Sequence, residues 1–95
     1  MKQKHQAFDR LLEKATPEQE RQVSLSLDIV LKIEAILDRR GMSRKELAAA
    51  MGKRESEISK WMSGVHNFTL LTLAKLEVVL GEPLLLVSKE REKRD

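Results

Sequence analysis

Residues 43–64 read SRKELAAAMGKRESEISKWMSG and contain the clearest signals of local structure in the sequence. Ser43 is followed three residues later by Glu46, which is the S-x-x-E pattern of a capping box and predicts a helix start. Gly52 and Gly64 can adopt the positive φ that ends helices, so each predicts a helix end. The stretch therefore predicts two short helices, RKELAAAM and ESEISKWMS, joined by a turn.

The spacing of apolar residues indicates how these two helices meet. Helices that cross at about 90–120° through a turn of about 3–4 residues need a small residue where they touch, and Ala48 meets that need. Ile58 and Trp61 are three residues apart, so both face the core. The opposite face of the second helix is polar and faces solvent. It consists of Arg54, Glu55, Ser56, Ser59 and Lys60.

A long helix is predicted before this stretch and a shorter one after it. Thr16 can cap the long helix, and Gly41 can end it. Apolar or small residues recur along the long helix at helical spacing and form its buried stripe: Ser26, Ile29, Val30, Ile33, Ile36 and Leu37. Thr69 and Gly81 bound the shorter helix, LLTLAKLEVVL, in the same way.

The two ends of the chain complete the expected fold. Residues 2–14 fit a further short helix, and LLLV at 84–87 is the one strand-like run. LLLV either packs under the last helix or pairs with its copy in a second subunit, and both interpretations stay open. We expect an all-α bundle of about five helices, with LLLV as a candidate short β-strand. The predicted division is a helical extension at 1–21, the bundle at 22–83, and a strand-like segment with a charged tail at 84–95.

The composition restricts the class of protein. The 95 residues fit one small domain, and because only 3% are aromatic the core must be aliphatic. The absence of cysteine excludes disulfides and thiolate metal sites. No apolar run approaches the ~20 residues that span a bilayer, and the N-terminus shows no secretory h-region. We therefore expect a cytoplasmic protein with no membrane partner.

Positive charge is concentrated in the middle of the chain. Residues 39–66 carry 7 basic and 3 acidic side chains, whereas the whole chain has a net charge of only +3. Residues 1–38 and 67–88 are each slightly acidic. A localised basic surface is typical of proteins that bind polyanions, and the alternative is a solvated surface with no ligand.

With its caps, terminal glycines and core positions, SRKELAAAMGKRESEISKWMSG resembles the helix-turn-helix of the lambda-repressor-like, or Xre, family. The resemblance extends through HNFTLLTLAKLEVVLGEPLL and covers roughly residues 22–87. It implies that the second helix of the motif enters the major groove of double-stranded DNA, which is about 12 Å wide. The TPE helix start together with HNFTLLTLAKL is similar to the antitoxin subunits of HigB–HigA-type modules.

The resemblance assigns DNA contacts to the positions that match the motif. The candidate DNA-binding residues are Ser43, Arg44, Lys45, Lys53, Arg54, Glu55, Ser56, Ser59, Lys60, His66 and Asn67. Arg54, Glu55 and Ser56 match the positions that read bases. An acid in the groove can accept a hydrogen bond from cytosine N4 but repels phosphate, so we expect Glu55 to select a cytosine.

The remaining candidates match positions that contact the DNA backbone. Lys53 in the turn resembles a phosphate contact, and Lys60 matches a further groove or backbone contact. His66 and Asn67 belong to a loop that touches the backbone again. Arg44 departs from the family, which usually has a glutamine there. Arginine can reach a phosphate, but the hydrogen bond that the amide shares with the recognition helix is lost.

Other chemistry has weaker support in the sequence. Trp61 could stack on a base, but its spacing from Ile58 favours the core. His66 could bind a metal, but the only other histidine is His5 and no carboxylate lies at ligand spacing. The Ser43 hydroxyl caps a helix and has no general base beside it. Because no paired carboxylates or phosphate-binding glycine loop appear, we expect no enzyme activity, no cofactor and no metal.

The expected function is sequence-specific DNA binding that represses transcription. One recognition helix buries too little surface for tight specificity, so we expect a homodimer on an inverted repeat with half-sites about 34–36 Å apart. The leading hypothesis is an antitoxin that represses its own operon and binds a small toxin nuclease through residues 1–21. The alternatives are a stand-alone phage-type repressor and a protein-interaction module that has lost DNA binding.

Overall fold

The computed structural model describes residues 13–90, and four helices follow one another there. They are α1 (Pro17–Arg40), α2 (Arg44–Met51), α3 (Glu55–Trp61) and α4 (Leu70–Leu80). The all-α expectation and the order of these four helices are confirmed for the described residues. Most of the short helix expected at 2–14 lies outside the described residues, so the count of about five stays a prediction.

Side-chain caps begin the helices where the sequence predicts them. Thr16 and Gln19 form a reciprocal capping box at the start of α1. At the start of α2, the Ser43 hydroxyl accepts from the Glu46 N–H at 3.0 Å, and the Ser43 N–H donates to Glu46 Oε1 at 2.8 Å. Each box satisfies two backbone donors that a helix leaves free, so each of these helices begins at a defined residue.

The helix predicted over ESEISKWMS is shorter than expected, because α3 ends at Trp61. Met62 has φ −85° and ψ 8°, outside the helical region, and the Ser63 N–H donates to the Lys60 carbonyl as a tight i→i+3 turn. The Met62 side chain is buried, so the residue that follows the helix still belongs to the core. Gly64 has φ 93° and lies in the loop after α3, so it allows a turn of that loop and does not end the helix.

The core is aliphatic, as the composition predicts. Its fully buried members come from all four helices: Ile33, Ile36, Leu47, Ile58, Leu76 and Leu80. Burying each such side chain stabilises the fold by about 1.5–3 kcal/mol before the entropy cost of ordering is subtracted. Trp61 is only 8% exposed and belongs to this cluster, which confirms its interpretation as a core residue.

The LLLV run forms no strand within the described residues 13–90. Leu84 and Leu85 pack against the core, and their N–H groups donate to Glu77 Oε2 at 2.7 and 3.0 Å. These two donors are therefore occupied by a side chain and are not available for a β-ladder. Leu86 and Val87 remain exposed. Packing of LLLV against the core and α4 is therefore seen within the chain, and its pairing with a second copy stays a prediction.

The same contacts act on the ionisation of Glu77. The N–H groups of Leu84 and Leu85 stabilise the carboxylate and lower the pKa of Glu77, while desolvation acts in the opposite direction. Glu82 joins the C-terminal segment (residues 82–90) to α1 by ion pairs with Lys32 and Arg39. The C-terminal segment is thus attached at its start to both α4 and α1.

Candidate nucleic-acid interface

The N-terminal turn of α3 presents polar side chains to solvent because its other face is fixed in the core. Ile58 is fully buried and Trp61 nearly so. The backbone of Arg54 caps the helix, and its N–H donates to Glu57 Oε1 at 2.9 Å. The side chains expected to read bases, Arg54, Glu55 and Ser56, are all exposed, as are Ser59 and Lys60. The structure thus brings these five residues onto one exposed helix.

The turn between α2 and α3 fixes the angle at which α3 projects. Gly52 has φ 69°, and the Lys53 N–H donates to the Ala48 carbonyl at 2.9 Å. A Cβ at Gly52 would meet no atom within 4 Å, so the backbone conformation alone requires glycine there. Ala48 is 3% exposed, as expected of a small residue at the helix crossing. Lys53 is exposed at the outside of this turn.

Arg44 forms an ion pair that the sequence does not reveal. Its Nη2 lies 3.2 Å from Glu34 Oε2 on α1, and both side chains are more than two-fifths exposed. At the position where the resemblance implies a glutamine, Arg44 connects α2 to α1. Such an exposed pair contributes about 0–1 kcal/mol, so phosphate can compete for the guanidinium at small cost. No local signal points to Glu34, because the pair depends on the packing of α1 against α2.

The loop from Met62 to Thr69, here called the α3–α4 loop, contains the last two candidates. The His66 ring packs inward, 6.2 Å from the Trp61 ring and 4.8 Å from the Phe68 ring between centroids. The His66 carbonyl accepts a 2.6 Å hydrogen bond from Ser26 Oγ on α1. Asn67 is exposed. Asn67 and the loop backbone are therefore better placed for an outside contact than the His66 ring.

The ion pairs and caps change the charge that this surface presents. Arg39 is paired with Glu82 and Arg44 with Glu34, while the Glu46 and Glu57 carboxylates accept backbone N–H groups. Within residues 43–60, four exposed cations form no ion pair with another described residue: Lys45, Lys53, Arg54 and Lys60. They lie on α2, in the turn and on α3, and they outnumber the three carboxylates of the same helices, so the surface around the recognition helix keeps a small net positive charge.

Two further observations concern other kinds of site. In the described part of the chain, no group of three or more His, Asp or Glu side chains is arranged to bind a metal. None of α1–α4 is both long and apolar enough to cross a membrane.

A protein-family comparison gives an independent result for this chain. The family model described as "Helix-turn-helix" matches residues 33–87, which is more than half of the 95 residues. The match begins within α1, includes α2, α3 and α4, and ends in the C-terminal segment. Comparisons with curated proteins and with solved structures gave no match.

Proposed function

The chain belongs to the lambda-repressor-like helix-turn-helix family and is a DNA-binding transcriptional regulator, and we propose that it represses transcription as a homodimer on an inverted-repeat operator. The observation that carries the proposal is the exposed N-terminal turn of α3, which the buried Ala48, Ile58 and Trp61 fix to α2. The four unpaired cations around it supply attraction to phosphate. Genomic DNA as partner is consistent with the cytoplasmic location expected from the sequence.

A homodimer is supported by the outward face of α4. An amphipathic surface helix is apolar on one stripe only, but α4 also carries large apolar side chains outside its buried stripe. Leu70, Leu71 and Val78 are 73%, 67% and 82% exposed. Val78 also borders a groove of about 380 Å³ between α2 and α4, lined in addition by Ala50, Met51, Ala74, Lys75 and Val79. In a twofold interface the same patch of two chains meets, so the projecting side chains of one chain can enter the groove of the other.

Footprinting on DNA from upstream of the gene tests this proposal. A dimer should protect two half-sites related by a twofold axis and separated by about 34–36 Å, or one helical turn. Sedimentation of the protein on the same duplex should give two chains per site. A single unsymmetrical footprint with one chain bound would contradict the dimer and leave the DNA-binding function intact.

We further propose that the regulator is an antitoxin. Its support is the similarity of HNFTLLTLAKL and of the TPE helix start to HigA-type antitoxins. Co-expression with the product of the adjacent reading frame should capture that product, and deletion of residues 1–21 should weaken the capture. Circular dichroism of the shortened chain shows whether the bundle still folds.

Two alternatives make different predictions in these experiments. A stand-alone repressor would bind the operator and capture no neighbouring product. A protein-interaction module would capture a partner and bind no DNA, but the exposed cations on α2 and α3 favour DNA binding over that reading.

A further inference from the structure

We propose that Ser26 is a positioning residue for DNA binding, acting through the α3–α4 loop. The inference rests on the proposed contact between that loop and the DNA backbone. Ser26 is only 3% exposed, and it is the one buried polar residue among those described. Its Oγ donates a 2.6 Å hydrogen bond to the His66 carbonyl, which is 40 residues away in sequence. A buried hydroxyl is thus used to fix a loop rather than to fill space.

The direction of this hydrogen bond is informative. A serine inside a helix commonly bonds to a carbonyl one turn earlier in its own helix. Ser26 instead reaches across to a different element, so its hydroxyl contributes to tertiary structure. Removing the hydroxyl would leave the partly buried His66 carbonyl without this donor, which costs more than an exposed bond would.

The loop has few other polar restraints. Among residues 13–90, Ser26 is the only residue outside the α3–α4 loop that forms a hydrogen bond with residues 64–68. The remaining restraint is the packing of the His66 ring against the Trp61 and Phe68 rings, which acts on the side chain and not on the carbonyl. The backbone position of His66 therefore depends on the hydroxyl of Ser26.

The fixed carbonyl lies one residue before the exposed Asn67. A loop that is already ordered pays less entropy when it meets a phosphate than a loop that must be ordered on binding. Ser26 also lies before residue 33, where the family match begins. The DNA-binding unit of this chain thus includes the N-terminal half of α1, which the family match does not cover.

Ser26→Ala tests the inference, with the exposed Ser24→Ala on the same helix as its matched control. Binding to an upstream duplex and to a scrambled duplex is followed by fluorescence anisotropy over a salt series. We expect Ser26→Ala to weaken binding about 3- to 10-fold, the effect of one net hydrogen bond. The slope of log affinity against log salt should stay at its wild-type value, because the loop carries no lysine or arginine that neutralises a phosphate. Ser24→Ala should match the wild type.

A double variant separates positioning from a general loss of stability. If Ser26 acts through the loop, Ser26→Ala combined with Asn67→Ala should bind no more weakly than Asn67→Ala alone. Should Ser26→Ala fail to fold by circular dichroism, Ser26→Cys replaces it, because a thiol has a similar size and donates only a weak hydrogen bond. Ser26→Cys should then show the weaker binding expected of Ser26→Ala.

The outcomes distinguish this inference from the proposed function. Wild-type affinity in the Ser26 variant, or additive losses with Asn67→Ala, would overturn the positioning role while the protein remained a regulator. Equal wild-type binding to both duplexes would count against the proposed operator. The loss of affinity in the Ser26 variant is still measured on either duplex in that case, because contacts to the DNA backbone do not depend on sequence.

Discussion

Glu55 is the residue whose chemistry most restricts what this surface can read. It lies in the first turn of α3 and is exposed between Arg54 and Ser56. A carboxylate at a helix N-terminus is stabilised by the helix dipole, so the residue suits the fold whether or not DNA is bound. Against DNA it is repelled by phosphate and can accept a hydrogen bond from cytosine N4. The residue therefore costs affinity unless it contacts a cytosine.

Replacing Glu55 by glutamine should change base preference at one position. We expect the wild type to select a cytosine there and Glu55→Gln to lose that selection, with discrimination changed by about 1–3 kcal/mol. Binding selection from duplexes with randomised sites measures this. Glu18→Gln, in the exposed first turn of α1, is the control. An unchanged preference in Glu55→Gln would show that Glu55 reads no base.

Gly52 decides the geometry of the recognition helix through its backbone alone. Because φ is 69° and no neighbour crowds a Cβ, Gly52→Ala should destabilise the fold by about 1–2 kcal/mol through left-handed strain. Gly52→Asn should lose less, since asparagine adopts this conformation more readily. Urea unfolding of the three proteins checks the order. Equal losses for alanine and asparagine would contradict a purely conformational role.

At the scale of elements, the sequence predicts contacts between residues that are close along the chain. It does not predict pairs that form only when the helices pack. The caps at Thr16 and Ser43 each join residues three apart, so the sequence alone predicts both helix starts. The bonds from Ser26 to His66 and from Arg44 to Glu34 join residues 40 and 10 apart, and they exist only because the helices pack at particular angles. LLLV has the composition of a strand, but the carboxylate of Glu77 bonds its first two N–H groups.

The attachment of the C-terminal segment to α4 should depend on pH. Because the pKa of Glu77 is lowered in the folded protein, its contribution to stability is present above the ordinary glutamate pKa of about 4.3 and is lost as the pH falls through the folded value. Glu77→Gln keeps an oxygen acceptor but loses the charge. The wild type should therefore be more stable than Glu77→Gln near neutral pH and lose that advantage in acid. Urea unfolding measures the difference.

Glu90→Gln, in the exposed C-terminal segment, controls for the general effect of removing one negative charge. A stability difference between wild type and Glu77→Gln that stays constant from neutral pH to acid would contradict a role for the charged carboxylate.

At the scale of the whole molecule, substitutions can show whether two copies meet through the outer face of α4 or through the C-terminal segment. Val78 is 82% exposed beside the groove, and Leu86 is 80% exposed in the C-terminal segment. Val78→Asp should shift the protein to monomer without lowering its melting temperature, because a charge is introduced into the proposed interface and not into the core. Sedimentation velocity measures the shift. Leu86→Asp is the matched control and should leave the dimer intact.

The opposite result would be equally clear. If Leu86→Asp dissociated the dimer and Val78→Asp did not, the two copies would meet through the C-terminal segment. The strand-pairing interpretation of LLLV would then replace the α4 interface.

The most direct test of the proposed repressor is fluorescence anisotropy on DNA from upstream of its own gene, with a scrambled duplex as control and a salt titration of both. We predict tight binding to the upstream duplex alone, with a steep negative slope of log affinity against log salt. Lys53→Ala should reduce that slope by about 0.9, one phosphate contact, on either duplex. Equal, weak binding of the wild type to both duplexes would contradict sequence-specific repression of its own gene.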